Sequence, residues 1–95
     1  MYKAIWNNQI IAVSSKTIEI EGNQYFPPED VKLELFSKTE THSTCPWKGY
    51  SSYYNITVDG KTNSDAAWFY EKPKDAVKEI AGYVAFWKGV EVIKS

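Results

Sequence analysis

The only cysteine and the only histidine of the chain lie three residues apart, as His42 and Cys45. A thiol is mostly protonated at neutral pH, and a neighbouring imidazole or positive charge makes it a nucleophile by lowering its pKa. Lys48 follows three residues later and carries such a charge. Cys45 is therefore a candidate nucleophile, with His42 or Lys48 as the group that activates it.

The same segment has the residue types of a small ligand pocket. Lys48 offers a positive charge to an anionic ligand, Trp47 offers an aromatic wall, and Gly49 allows a close approach of the backbone. Aromatic side chains further along the chain are expected on strands, where alternate members line a surface or cleft. The predicted ligand-binding residues are Lys48, Cys45, Trp47, Gly49, Tyr53, Trp68 and Tyr70.

A structural role is the alternative for these residues. Free cysteine is among the most buried residue types, Trp47 can fill the core, and Pro46 can fix a bend. The spacing of Cys45 and Lys48 is similar to that of Ser-x-x-Lys enzymes, but that motif needs a helix, which Gly49 disfavours. Three hypotheses follow: a small-molecule-binding module, a structural or protein-interaction domain and, third in rank, a cysteine-dependent enzyme.

Composition argues against several classes of protein. The 95 residues include four Trp, seven Tyr and four Phe, and the eleven basic residues are all lysine. The net charge of −1 argues against electrostatic binding of nucleic acid. One cysteine and one histidine are too few for an internal disulfide or for the common structural zinc sites. We therefore expect no metal, no cofactor and no nucleic-acid partner.

The apolar runs are far shorter than the roughly 20 residues that a membrane helix needs, so no membrane partner is expected. The first residues, Met1 to Asn7, lack the apolar region of a secretory signal, and the expected location is cytoplasmic. The partner predicted from Lys48 is a small anionic ligand. The sequence leaves the oligomeric state open.

Short strands joined by tight turns are predicted over most of the chain, because asparagine, aspartate and glycine tolerate the positive φ of hairpin turns. The predicted turns are Asn7-Asn8, Glu21-Gly22-Asn23, Asp59-Gly60 and Lys88-Gly89. Residues 31–36 alternate between polar and apolar and are predicted to form a strand, and residues 37–50 are predicted to form a long loop. Residues 61–64 and 66–70 are predicted as separate strands.

One short helix is predicted over residues 74–81, where Ala76, Val77, Ile80 and Ala81 recur at helical spacing before Gly82. A single turn of helix is also predicted over residues 28–31. The predicted fold class is therefore α+β and β-rich: one small domain over residues 1–95, with short antiparallel strands in a barrel- or sandwich-like arrangement.

Several segments together resemble a known bacterial family, domain of unknown function 427. They are Tyr25-Phe26-Pro27-Pro28-Glu29-Asp30-Val31, Cys45-Pro46-Trp47-Lys48-Gly49 with Ser52-Tyr53-Tyr54, Ala66-Ala67-Trp68-Phe69-Tyr70 with Pro73, and Ile80-Ala81-Gly82-Tyr83-Val84-Ala85-Phe86. The resemblance spans nearly the whole chain. It implies a compact β-rich domain, with the Mss4-like folds as one candidate, and a short helix before the last strands.

The resemblance implies no established activity. The family is sometimes labelled nucleotidyltransferase-like, but the chain lacks the Gly-Ser element and the paired aspartates that hold two magnesium ions in that chemistry. The positions to which the resemblance gives weight are Cys45, Pro46, Lys48, Gly49, Tyr53, Trp68, Pro73, Gly82 and Phe86.

Overall fold

A computed structural model describes residues 1–95 as nine strands and three short 3₁₀ helices. The strands are β1 (Tyr2–Trp6), β2 (Gln9–Ser14), β3 (Ile18–Ile20), β4 (Asn23–Tyr25), β5 (Phe36–Cys45), β6 (Gly49–Val58), β7 (Lys61–Tyr70), β8 (Val84–Phe86) and β9 (Glu91–Lys94). The 3₁₀ helices are Pro28–Asp30, Leu33–Leu35 and Asp75–Ile80. None of these helices has the length and the apolar composition that a membrane-spanning helix requires.

The strands form three antiparallel sheets. One sheet has the order β2-β1-β9, a second is the β3–β4 hairpin, and the third has the order β5-β6-β7-β8. The prediction of a small β-rich fold with antiparallel strands is confirmed. No sheet closes into a barrel, because β5 and β8 are the two outer strands of the largest one and do not pair with each other.

The four-stranded sheet has an apolar cluster on each face, because alternate side chains of a strand point to opposite sides. One cluster joins this sheet to the β2-β1-β9 sheet and includes Ile11, Phe69 and Phe86. The other joins the opposite face to the β3–β4 hairpin and the last 3₁₀ helix, and it includes Tyr25 and Tyr70. The sheet therefore presents two chemically separate faces.

The predicted hairpin turns are confirmed by their backbone angles. The φ angles are 51° and 63° at Asn7 and Asn8, and 51° and 76° at Asp59 and Gly60. In these two hairpins, two successive residues with positive φ match the right-handed twist of the paired strands. Lys88 and Gly89, with φ angles of 51° and 84°, form a turn as well, but this turn connects β8 and β9, which belong to different sheets.

The strand predicted over residues 31–36 and the loop predicted over residues 37–50 are both wrong. Only Val31 pairs with β2, as a single bridge to Ala12, and the chain then turns as a 3₁₀ helix in which the Leu35 amide donates to the Lys32 carbonyl. Polar residues follow in β5, whose pairing with β6 extends to Cys45. The sequence of β5 lacks the alternation of apolar residues by which strands are recognised, because β5 is an edge strand with mostly exposed side chains.

The helix predicted over residues 74–81 is corrected to a 3₁₀ helix, Asp75–Ile80, with a non-helical backbone at Val77 (φ −134°, ψ 31°). Val77 and Ile80 are still buried, as the apolar spacing requires. The short helix predicted over residues 28–31 corresponds to the 3₁₀ turn Pro28–Asp30. The strands predicted over 61–64 and 66–70 are one strand, β7.

The register of β7 shifts around Asp65, whose φ is 53°. A second irregularity lies in β5 between Lys38 and His42. The two are connected, because the hydroxyls of Thr39 and Thr41 both donate hydrogen bonds to the Asp65 carboxylate over distances of 2.8 Å. The Asn55 side chain accepts from the Asp65 amide at 2.9 Å, which satisfies the backbone at the bulge.

Candidate functional site

The register of β6, β7 and β8 brings the predicted aromatic residues to one face of the sheet. Tyr53 pairs with Trp68, and Trp68 pairs with Ala85 on the next strand. Tyr70 lies two residues beyond Trp68 and therefore on the same side. Trp87, two residues beyond Ala85, extends this row past the end of β8.

These side chains and Lys48 line a cavity of about 170 Å³, which we call the aromatic cavity. Its lining residues are Lys48, Tyr53, Trp68, Tyr70 and Trp87. The rings of Trp68 and Trp87 meet edge to face, with centroids 5.8 Å apart and planes at 80°. The Tyr53 ring lies 6.4 Å from that of Trp87 at a tilt of 39°. Four of the seven predicted ligand-binding residues thus share one cavity.

Hydrogen bonds hold the two tryptophans in place. The indole nitrogen of Trp68 donates to the Tyr25 hydroxyl at 3.2 Å, and that of Trp87 donates to the Asp65 carbonyl at 2.5 Å. Tyr25 is fully buried, whereas the Trp87 side chain is 45% exposed. The cavity therefore has a fixed inner wall and an outer wall open to solvent.

Lys48 is buried at 7% exposure and forms an ion pair with Glu21 of the β3–β4 turn. Its ammonium nitrogen also lies 5.5 Å from the ring centroid of Trp47 and 5.8 Å from that of Tyr70. Burial alone lowers the pKa of Lys48, but the hydrogen bond to Glu21 and the neighbouring groups outweigh it, so that the pKa lies above its ordinary value. Lys48 is therefore charged at neutral pH.

Glu21 already supplies one anionic partner for Lys48. The ammonium group has three N–H donors, and the Glu21 carboxylate takes one of them. A ligand acceptor in the aromatic cavity can therefore use a second donor, or displace Glu21, whose side chain is 53% exposed. Burial also raises the pKa of Tyr70, so its hydroxyl keeps its proton as a donor.

Gly49 serves the chain itself. Its φ of +117° is a conformation that side chains other than glycine rarely adopt, and a Cβ there would lie 3.5 Å from the Lys74 amide nitrogen. The Lys74 amide donates to the Lys48 carbonyl at 2.9 Å. Gly49 therefore lets segment 72–74 dock against the β5–β6 turn, which fixes the backbone of Lys48.

Cys45 and Trp47 lie beside the aromatic cavity without lining it. Cys45 is half-buried and packs against the cluster that contains Tyr25 and Tyr70. Trp47 lies in the turn between β5 and β6, with 43% of its surface exposed. The Trp47 ring lies 5.5 Å from the Lys48 ammonium, and Cys45 covers part of the apolar cluster that contains Tyr70.

His42 lies on the opposite face of the sheet from Cys45. His42 pairs with Ser52, and Ser52 pairs with Phe69, whereas Cys45 pairs with Gly49 at the end of the hairpin. Three positions separate His42 and Cys45 on a regular strand, so their side chains point to different sides. The activating pair considered from the sequence is not assembled in this structure.

A second and larger concavity, of about 470 Å³, lies on the face that His42 occupies. We call it the His42 groove; its lining includes Lys38, His42, Tyr50, Ser52, Phe69 and Lys72. The His42 ring stacks on Tyr50, with centroids 4.7 Å apart and planes at 15°. Lys38 and Lys72 had no motif to mark them in the sequence.

Sequence reasoning also missed Trp87 and Glu21. Trp87 lies two residues after Ala85, which pairs with Trp68. The alternation of side chains along a strand was the one signal that could have placed Trp87 on the same face as Trp68. Glu21 was interpreted only as part of a turn. Its contact with Lys48 joins residues 27 positions apart, and no local pattern predicts such a pair.

Comparison with known proteins agrees with the resemblance seen in the sequence. A family model described as a domain of unknown function (DUF427, labelled NTP_transf_9) matches residues 2–94. Among curated proteins, none matches the chain. The match covers nearly all of the residues that build the three sheets and both concavities, and on that ground the chain belongs to the DUF427 family.

Proposed function

We propose that the protein is a small-molecule-binding module whose ligand occupies the aromatic cavity. The observation that carries the proposal is the convergence of Lys48, Tyr53, Trp68 and Tyr70, with Trp87, on one cavity. A few polar groups that converge on an apolar concavity are the usual form of a ligand site. Its lining combines four aromatic rings with one ammonium group.

The size and lining of the cavity restrict the ligand. An apolar cavity of about 150 Å³ accommodates benzene, so about 170 Å³ has room for a single ring. The rings of Trp68 and Trp87 already meet edge to face, so a flat ligand ring packs against the surface that they present to the cavity rather than between them. Lys48 favours a carboxylate or another acceptor on that ring. The proposed ligand is therefore a small monocyclic acid.

The test is a thermal-shift screen of monocyclic carboxylates, followed by ligand-observed NMR on the hits. Trp87→Ala removes a wall of the cavity, and we expect binding to weaken about ten-fold, equivalent to about 1.4 kcal/mol. Tyr50→Ala is the control, because Tyr50 is also an exposed aromatic residue (57% against 45% for Trp87) but lines the His42 groove instead of the aromatic cavity. Equal affinity in wild type and Trp87→Ala, or a screen without hits, contradicts the proposal.

Lys48→Met separates the charge from the rings. This substitution preserves an unbranched apolar side chain and removes the ammonium donors. We expect it to reduce the affinity for the acid and to leave the affinity for the uncharged ring compound nearly unchanged. A loss that is equal for both compounds would show that Lys48 acts on the shape of the cavity.

A cytoplasmic location is part of the proposal. The one thiol, Cys45, is free, and unpaired cysteines are typical of reducing compartments.

Self-association is the second candidate function, and one observation favours it. The ten-residue strand β5 is a free edge of the largest sheet, and such an edge can pair with another chain. Sedimentation equilibrium over a wide range of protein concentrations tests this. A monomer at the highest concentration contradicts pairing through β5.

A further inference from the structure

The His42 groove is separate from the aromatic cavity, because the two lie on opposite faces of the same strands. His42, Ser52 and Phe69 form one cross-strand row on β5, β6 and β7. The adjacent row, with Ser51 and Tyr70, points to the other face. A ligand in the groove therefore shares no lining residue with one in the aromatic cavity.

Positive charge exceeds negative charge in the groove. Lys38 and Lys72 line it together with a single carboxylate, Glu71. Glu71 lies 4.0 Å from the Lys38 ammonium, and both side chains are about two-thirds exposed, so this ion pair is weak. The groove thus keeps a local positive charge on a chain whose net charge is −1.

Aromatic surface adjoins these charges. The Lys38 ammonium lies 5.7 Å from the ring centroid of Phe69, and the exposed ring of Tyr50 forms part of the wall. The Tyr50 ring is 57% exposed and carries the His42 imidazole on one side. A flat ring in the groove can contact these aromatic groups while its charged substituent faces the lysines.

The orientation of His42 adds a polar group to the groove. Its Nδ1 lies 3.2 Å from the Ser51 carbonyl oxygen, and a carbonyl only accepts, so the proton of the neutral ring resides on Nδ1. Nε2 is then the ring nitrogen that has no partner among these hydrogen bonds.

We propose that the His42 groove is a second binding site, for a small molecule that carries an oxyanion on a flat ring. Lys38 and Lys72 pair with the oxyanion, and the stacked rings of His42 and Tyr50 contact the flat ring. The Ser52 hydroxyl, which also lines the groove, lies 3.3 Å from Nδ1 of His42. The oxyanion is a phosphate ester, a sulfonate or a carboxylate.

The first test uses phenyl phosphate as a probe and follows backbone amide shifts by two-dimensional NMR. We expect concentration-dependent shifts at His42, Ser52 and Phe69. Phenol lacks the oxyanion and inorganic phosphate lacks the ring, so both are expected to bind more weakly. Shifts that map to Tyr53 and Trp68, or no saturable shifts at all, overturn this proposal whatever the outcome for the aromatic cavity.

Variants then identify the charged groups. Lys38→Met combined with Lys72→Met is expected to weaken phenyl phosphate binding about ten-fold, equivalent to about 1.4 kcal/mol. Lys61→Met is the charge control, because Lys61 lies at the other end of β7 and outside the groove. Both lysines of the groove are exposed, so the spectrum of the double variant is expected to keep its native dispersion. Equal affinity in wild type and the double variant overturns the proposal.

A further variant tests His42. Benzenesulfonate carries an oxyanion on a flat ring, as phenyl phosphate does, and serves as the probe. The charged and aromatic groups around the imidazole are Lys38, Tyr50, Glu71 and Lys72.

His42→Gln removes the ring that stacks on Tyr50 and is expected to weaken benzenesulfonate binding about three-fold at constant pH. Equal affinity in wild type and His42→Gln would overturn the role of His42. A comparison of the three oxyanions then identifies which of them the groove prefers.

Discussion

Removing the carboxylate of the Glu21–Lys48 pair is expected to destabilise the fold more than removing the ammonium. Lys48 is 7% exposed, whereas the Glu21 side chain is 53% exposed. Glu21→Gln therefore leaves a buried cation without its counter-charge. Lys48→Met leaves a carboxylate that water can reach, and burying an apolar side chain in place of a buried charge is often neutral or stabilising.

The magnitudes follow from the contacts of the ammonium group. A hydrogen bond to a charged group contributes about 1.5–3 kcal/mol to stability. In Glu21→Gln the new amide oxygen can still accept a hydrogen bond from the Lys48 ammonium, and the contacts of the ammonium with the Trp47 and Tyr70 rings remain. We therefore expect a loss of about 1–2 kcal/mol. Lys48→Met keeps the packing of the aliphatic stem and is expected to stay within about 0.5 kcal/mol of wild type.

Thermal unfolding converts these energies into a measurable difference. For a domain of this size, 1 kcal/mol shifts the midpoint by about 4–8 °C. Glu21→Gln is therefore expected to lower the midpoint by about 4–16 °C, and Lys48→Met to change it by at most about 4 °C. Circular dichroism and tryptophan fluorescence at neutral pH provide two probes of the same transition.

The raised pKa of Lys48 decides the pH at which the variants are compared. Because this pKa is higher in the folded state than its ordinary value of 10.5, the Glu21–Lys48 pair stabilises the fold fully below pH 10.5, and this stabilisation is lost as the pH rises through the pKa of the folded state. The exposed pair Lys16–Glu29, 3.2 Å apart, is the control, and its matched substitutions are expected to change nothing measurable. A midpoint that falls as far in Lys48→Met as in Glu21→Gln would refute the reasoning.

Two further substitutions test the backbone features that position the sites. The hydroxyls of Thr39 and Thr41 hold the pKa of Asp65 in the folded state below its ordinary value of 3.8. Their hydrogen bonds to Asp65 therefore stabilise the fold above pH 3.8, and this stabilisation is lost as the pH falls through the folded pKa. The double variant Thr39→Val and Thr41→Val is expected to lose less stability at low pH than the wild type. Urea unfolding at about pH 7 and pH 2.5 measures this, and an unchanged pH dependence speaks against the role of the hydroxyls. Gly49→Ala is expected to lower the free energy of unfolding by about 1–3 kcal/mol, because the φ of Gly49 is +117°. Gly22→Ala is expected to cost less, because Gly22 has a φ of +81° and open space around it. The reverse order of the two midpoints in thermal unfolding contradicts the argument.

Local turn chemistry was the part of the fold that the sequence predicted best. The Asn7-Asn8 and Asp59-Gly60 turns depend on residues that tolerate positive φ, and this preference acts within four residues. The β5 strand failed as a prediction because its pairing depends on β6. Its polar residues lie at an exposed edge, where no apolar alternation is needed.

The candidate site was predictable in its aromatic half. Alternation along β6 and β7 was enough to place Tyr53, Trp68 and Tyr70 together once both segments were recognised as strands. The charge partner of Lys48 was not predictable, because Glu21 reaches it from a separate hairpin. The division of His42 and Cys45 between two faces needed the knowledge that residues 42–45 are a regular strand rather than a loop.

Asp65 connects the irregular backbone to both concavities. Its carboxylate accepts from Thr39, which lines the His42 groove, and its carbonyl accepts from Trp87, which lines the aromatic cavity. The carboxylate and the carbonyl of Asp65 point in different directions, because the bulge, with its positive φ, turns the carbonyl away from the hydrogen bonds between the strands. One residue of β7 thereby contacts a wall residue of each concavity, and the bulge lies between the two sites.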